Sequence, residues 1–198
     1  WKDKLTSFDG QSILYDPIGN PLSLNGATLG WTQGRKLSTY TKDGTTAYYT
    51  YDENGIRKSK YVNGTTTEYL TSGGEVVAQK TGSNVTTYTR GADGSLISMN
   101  RNGTIYYYQT NLQGDVEKIL DGNGTAVVAY TYDAYGRITN ISGSMKDTLG
   151  VENPFRYRSY FFDQESGFYY LQSRYYDPMM GRFISADSFV NAGNENCN

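Results

Sequence analysis

Histidine is missing altogether and cysteine nearly so: the 198-residue chain has no His and one Cys, Cys197. Without histidine there is no Ser-His or Cys-His nucleophile, and the commonest general base and zinc ligand are gone. A single cysteine permits no internal disulfide and no cysteine metal cluster. Catalysis, if any, falls to carboxylates, Lys, Tyr or backbone donors. Long apolar runs are also lacking, and the apolar fraction is 37%, below the usual figure of about 45–50%. No membrane-spanning helix is therefore expected. Charge of one sign is lacking too, since 18 basic residues are interspersed with 20 acidic ones. That balance removes the electrostatic footprint of a nucleic-acid or anionic-membrane partner. The N-terminus carries no basic and apolar leader, and it opens on Trp1. The chain thus reads as a piece of a longer protein, whose remainder could carry the signal peptide.

What is present is β-forming. There are 20 Tyr and 23 Gly against 4 Pro, a profile of half-buried pleated surfaces joined by tight turns. The turns recur. Tyr-Asp with a glycine three residues after the Asp occurs at Tyr15-Asp16 with Gly19, Tyr51-Asp52 with Gly55, and Tyr132-Asp133 with Gly136. Turn glycines at Gly55, Gly74, Gly94, Gly114 and Gly136 are 19, 20, 20 and 22 residues apart, so the unit is about twenty residues long. Midway through several units comes an Asn-Gly pair, at Asn63-Gly64, Asn102-Gly103 and Asn123-Gly124. Asn-Gly between β-prone segments predicts a type I′ hairpin, because both central residues need positive φ.

Each unit therefore reads as two strands and two turns, and the fold class as all-β, a meandering antiparallel hairpin array over residues 1–137. In this reading the Asp of each pair caps a turn by accepting backbone amides, and Gly completes it. The stretch Tyr51–Gly55 also begins like a Ca²⁺ loop, but it lacks the further acidic ligands and closing Glu. No metal and no cofactor is expected. Exposed Tyr side chains leave a carbohydrate-binding or adhesive role open. The Asn-x-Ser/Thr sequons at Asn63, Asn84, Asn102, Asn123 and Asn140 are read as turn chemistry where they fall on Asn-Gly.

Residues 138–154 alternate little and read as a connecting segment with a short helical turn. Residues 155–189 carry the densest aromatic content, with strands predicted near 155–162 and 168–176 and a turn at Asp163–Gly167. Arg156, Arg158, Arg174 and Arg182 stand beside those aromatics, placed to stack on rings or to pair with Asp163, Asp177 or Asp187. Residues 190–198 read as an irregular tail.

The Tyr-Asp-x-x-Gly units, the segment 106–138 and above all residues 174–187, "RYYDPMMGRFISAD", resemble the Rhs/YD-repeat proteins and their repeat-associated core region. Members include bacterial polymorphic toxins, wall-associated proteins, the C component of insecticidal toxin complexes and teneurins. The resemblance implies a spiralling sheet that forms part of a hollow shell, plugged by the core region around a C-terminal effector absent from this chain. It implies partners in the remaining repeats and that effector, and a secreted or surface location on a bacterium. Tyr176, Pro178, Gly181, Arg182 and Phe183 fall on the core motif. The resemblance also implies that the core acts as an aspartyl autoprotease, with Asp177 and Asp187 as its carboxylates. Asp177-Pro178-Met179-Met180-Gly181 matches the first family element in full. At the second, Ser188 replaces the expected Pro and Val190 the expected Gly.

Overall fold

The computed structural model describes residues 4–185. Among them, thirteen antiparallel strands form one sheet in strict chain order, from Ser23–Leu24 to Ile138–Ser142. A small hairpin, Ser7–Phe8 with Gln11–Ser12, precedes it. A four-stranded meander follows: Phe161–Asp163, Phe168–Leu171, Arg174–Asp177 and Arg182–Phe183. Because each large-sheet strand pairs with its sequence neighbour, every connection is a hairpin and the pairing is local.

The two rims of this strip are built differently. Along one run two-residue turns, with both residues at positive φ at Asn63-Gly64 (47° and 86°) and Asn102-Gly103 (50° and 92°) and only Gly82 so at Gly82-Ser83. The opposite rim carries the Asx-x-x-Gly turns Asp52–Gly55, Asn111–Gly114 and Asp133–Gly136, together with one two-residue turn at Gly73-Gly74. Asn123-Gly124 departs from the type I′ expectation. Of that pair only Gly124 has positive φ, because Asp121 Oδ1 captures the amides of Asn123 and Thr125, both at 2.9 Å, and draws the loop into an Asx turn.

Strands entering the Asx rim slip register just before the turn, as at Thr50/Tyr51, Thr89/Arg90, Gln109/Thr110 and Thr131/Tyr132. Each bulge adds a residue on that side and increases local twist, so the strip curls. Its inner face is lined at alternate positions by buried side chains such as Leu29, Tyr40, Tyr49, Tyr88, Ile119 and Val128. On the outer face Tyr48, Tyr61, Ile105 and Tyr107 stay exposed.

The aromatic meander is a plug seated on that inner face. Successive sheet rings meet successive plug rings: Tyr40 with Phe168, Tyr51 with Tyr170, Tyr69 with Phe161, and Tyr88 with Phe155. The last pair is edge-to-face at 4.7 Å and 88°, a geometry favoured by ring quadrupoles.

The plug differs from the two long strands predicted for it. Residues 155–160 are mostly turn: Tyr157–Ser159 is a 3₁₀ element, and Arg158 and Ser159 both stand at φ 54°. The Asn111–Asp115 turn of the sheet imposes this. Asp115 Oδ1 accepts the Arg158 amide at 2.8 Å, and Ser159 Oγ donates to the Gly114 carbonyl at 2.8 Å. The second predicted strand breaks at Gln172, φ 57°, into Phe168–Leu171 and Arg174–Asp177. There Lys36 Nζ donates to the Gln172 carbonyl at 2.8 Å. Within 138–154, Ile138–Ser142 is the final sheet strand, paired with Ala126–Tyr132, and the helical turn is Leu149–Glu152.

Candidate functional site

The repeat turns share one hydrogen-bond scheme. Asp16, Asp52 and Asp133 each use Oδ1 to accept two backbone amides, two and four residues downstream, at 2.8–3.0 Å. Gly19, Gly55 and Gly136 donate back to the carbonyl of that Asp, each at 3.1 Å. The preceding tyrosine does something sequence reasoning missed. Its hydroxyl reaches back to an earlier backbone carbonyl, Tyr15 to Leu5, Tyr51 to Leu37 and Tyr132 to Val116, each at 2.7 Å. The Tyr thus fastens the chain entering the turn to chain laid down earlier while the Asp folds the turn.

These turns also seat the plug. Gly136 stands at φ 85°, and a Cβ there would lie 2.4 Å from the Tyr157 ring. Its carbonyl accepts the Tyr169 hydroxyl at 2.9 Å. Glycine is required at this position both for backbone conformation and for close approach.

Asp177 ends strand Arg174–Asp177 and opens the last plug turn, where Pro178 fixes φ. Its Oδ1 accepts the Met179 amide at 2.7 Å and the Met180 amide at 3.4 Å, and its carbonyl accepts the Gly181 amide at 2.9 Å. Gly181 has φ 67° and abuts Tyr135, whose carbonyl accepts the Tyr176 hydroxyl at 2.9 Å. Across the strand pair, Arg182 lies opposite Asp177 and Phe183 opposite Tyr176. The Arg174 guanidinium sits 3.7 Å over the Phe183 ring. The motif residues are therefore brought together around one turn.

Asp177 is 2% exposed and its Oδ2 has no hydrogen-bond partner. Burial pushes its carboxyl up, while the Met179 and Met180 amides and the Lys42 charge oppose the shift. A buried carboxyl that holds its proton more tightly can serve in proton transfer. Asp187 lies outside the described residues.

The strongest charged contact joining sheet and plug was not visible as a motif. Asp163, which the sequence offered to arginines of its own segment, pairs instead with two sheet residues. Arg57 Nη1 is 2.5 Å from its Oδ2 and Lys60 Nζ is 3.4 Å from its Oδ1. Lys60 Nζ also reaches Glu165 at 2.9 Å, and Tyr49 donates to the other Glu165 oxygen at 2.8 Å. Arg57 and Asp163 are 1% and 0% exposed, and the guanidinium lies among the rings of Tyr49, Tyr69, Phe161 and Tyr170. Burial alone would lower the Arg57 pKa, but Asp163 reverses the shift and holds it well above the ordinary value. The available signal was the Arg directly after a repeat turn, Gly55-Ile56-Arg57. Nothing local distinguished it from Arg137, which bonds Asp133 on the surface at 3.1 Å. Arg156 does stack on its own segment, 4.4 Å over Phe162.

A curled hairpin strip with an aromatic plug has close relatives. The Teneurin YD-shell family matches residues 76–196. This chain belongs to the teneurin YD-shell family of Rhs/YD-repeat proteins. A YD-shell relative, the tRNA nuclease WapA of Bacillus subtilis (strain 168), is 40% identical over 93% of the chain. The tRNA3(Ser)-specific nuclease WapA of Bacillus spizizenii is 39% identical over the same share. In each case the chain spans 8% of the relative's length. Among solved YD-shell structures, the crystal structure of TcdB2-TccC3 superposes with a TM-score of 0.70 at 19% identity, covering 92% of this chain and 10% of that one. The Photorhabdus luminescens Tc holotoxin pore carrying TccC3-D651A gives 0.67 at 20%, over 91% and 10%.

Proposed function

We propose that this YD-shell chain supplies wall and plug to a shell that encloses or presents a C-terminal effector of a longer, toxin-type bacterial protein, secreted or held at the cell surface. The observation that carries this reading is the plug fastened to the inside of the strip by buried ion pairs and a ladder of rings. A plug of that kind closes one side of a cavity and leaves the other available to cargo. The WapA relatives, longer proteins named for tRNA cleavage, support an effector beyond this region. The test is limited proteolysis of the longer natural protein. A downstream segment that survives protease in the intact protein and is digested after denaturation supports enclosure; digestion at equal rates in both overturns it.

Asp177 favours a second role, self-processing, because its carboxyl is buried, biased toward the protonated form and unpartnered at Oδ2. One protonated carboxyl beside an ionised one is the pairing that activates water against a peptide bond, and Asp187 is the proposed second. Mass measurement of the chain extended through its native downstream sequence, beside Asp177→Asn, decides it. An intact extended wild-type chain removes this role.

A further inference from the structure

The ladder of inward rings is interrupted between Tyr69 and Tyr88. Register places Lys60 beside Thr67 and Thr67 beside Thr81; one step along, Gln79 lies beside Thr86 and Thr86 beside Arg101. These are inward positions, on the face that elsewhere carries aromatic side chains. Beyond the contacts of Lys60 with Asp163 and Glu165 the plug stands off this row, and a cavity of about 340 Å³ lies between the row and Val151, Pro154, Phe162 and Gln164. This volume falls within the range typical of ligand sites, about 300–1,000 Å³.

Its chemistry is neutral and hydrogen-bonding. Of the cavity's cations, Lys60 is paired with Glu165 and Arg101 with Glu152, so the cavity does not select an anion. Thr67 and Thr81 share a bond of 2.8 Å. Tyr69, which also lines the cavity, keeps a buried hydroxyl with no hydrogen-bond partner. Hydroxyl and amide groups beside aromatic rings suit an uncharged polar ligand.

We propose that this cavity is a docking socket for an extended, neutral polar segment of polypeptide from the enclosed effector. The inference rests on the shell reading, and two features favour polypeptide over a free saccharide. The socket lies on the inner face of the strip, walled on its far side by Phe161, Phe162 and Gln164 of the plug, the face that lines the enclosed space in the shell reading. The chain also spans only 8% of its WapA relatives, so a long stretch of polypeptide is available to fill it.

The test uses the longer natural protein carrying Thr86→Cys in a Cys197→Ser background, labelled with a benzophenone maleimide and irradiated. Crosslinks to peptides downstream of residue 198 are expected. Crosslinks confined to residues 4–185, with the downstream segment still protected from protease, overturn the socket and leave enclosure standing. Loss of that protection in the unlabelled wild type overturns both. Since the label could disturb folding, amide exchange of the unsubstituted protein gives an independent measure. Exchange in Thr65–Ser72 and Asn84–Arg90 is expected to slow by at least about tenfold when the downstream segment is present. Equal exchange with and without it overturns the socket. So does equal slowing by a soluble disaccharide in a chain lacking that segment, which would reassign the cavity to saccharide.

Discussion

The strip and the plug contain the same kinds of residue and are held together by opposite means. In the strip each strand bonds to its sequence neighbour, the Asx turns close on themselves, and one unit resembles the next. In the plug the strands are two to four residues long, and their positions depend on sheet residues from 33 to more than a hundred positions away. Arg57 and Asp163 are 106 residues apart, and Tyr51 and Tyr175, whose hydroxyls share a 2.6 Å bond, are 124 apart. A repeating sheet is thus specified by local turn chemistry, whereas the piece that closes it is specified by the surface on which it lands. Two consecutive non-glycine residues at positive φ, Arg158 and Ser159, show the cost: such strain persists only where neighbours over-determine it.

Removing one member of the buried ion pair tests that contrast most severely. Arg57→Ala leaves Asp163 buried with Lys60, 3.4 Å away, as its remaining ionic partner, and is expected to destabilise by about 3 kcal/mol, the low end for a broken buried pair, measured by denaturant titration. Exchange protection should collapse in Phe161–Asp163 and Phe168–Leu171 before it does in Thr104–Thr110. Simultaneous loss throughout would mean that strip and plug are one cooperative unit.

Two glycines with nearly equal φ separate conformation from contact. Gly136 (85°) touches the plug, whereas a side chain at Gly64 (86°) would meet nothing within 4 Å of its Cβ. Gly64→Ala should cost only the left-handed penalty, about 1–2 kcal/mol. Gly136→Ala should cost about 2–4 kcal/mol, since displacing Tyr157 adds an overpacking penalty. Equal losses would remove the claim that repeat turns seat the plug.

Within the strip the effects shrink. Asp52→Ala removes the acceptor for the Asn54 and Ile56 amides and should cost about 1 kcal/mol. The loss should appear as faster exchange confined to Thr45–Tyr51 and Arg57–Val62. A global effect would contradict local specification.

Asp177→Asn runs the other way. Burial raises the folded-state carboxyl above its unfolded value. The group's contribution to stability is therefore fully present below the unfolded Asp pKa, about 3.9, and is lost as pH rises through the higher folded value. The Asn variant has no such titration. Its Tm should gain on the wild type as pH rises through that window; a constant difference would show that the carboxyl is not perturbed.

Much of the strip was legible because its signals lie within five residues of each other. Tyr-Asp-x-x-Gly and Asn-Gly are complete instructions for a turn, and alternation between them sets the faces. Asn123-Gly124 misled because Asp121, two residues earlier, offers those amides a stronger acceptor. In the plug, the aromatic density marked what would be buried, and the Asp177–Gly181 motif marked a turn. Register and breaks could not be read, since Gln172 turns where Lys36 and Gly74 meet it.

An all-β hairpin repeat, its unit length, its two kinds of turn and an aromatic segment set apart at one end were all readable from local residue patterns. Each of these follows from backbone conformational preference and the two-residue period of a strand, which act over a few residues. That Arg57 rather than a neighbouring arginine meets Asp163, that Asp177 is buried with one oxygen unpartnered, and that a polar cavity interrupts the ring ladder emerged from packing alone. Those outcomes depend on desolvation and on how a curled sheet fits its plug, and neither is encoded until distant residues share the same space.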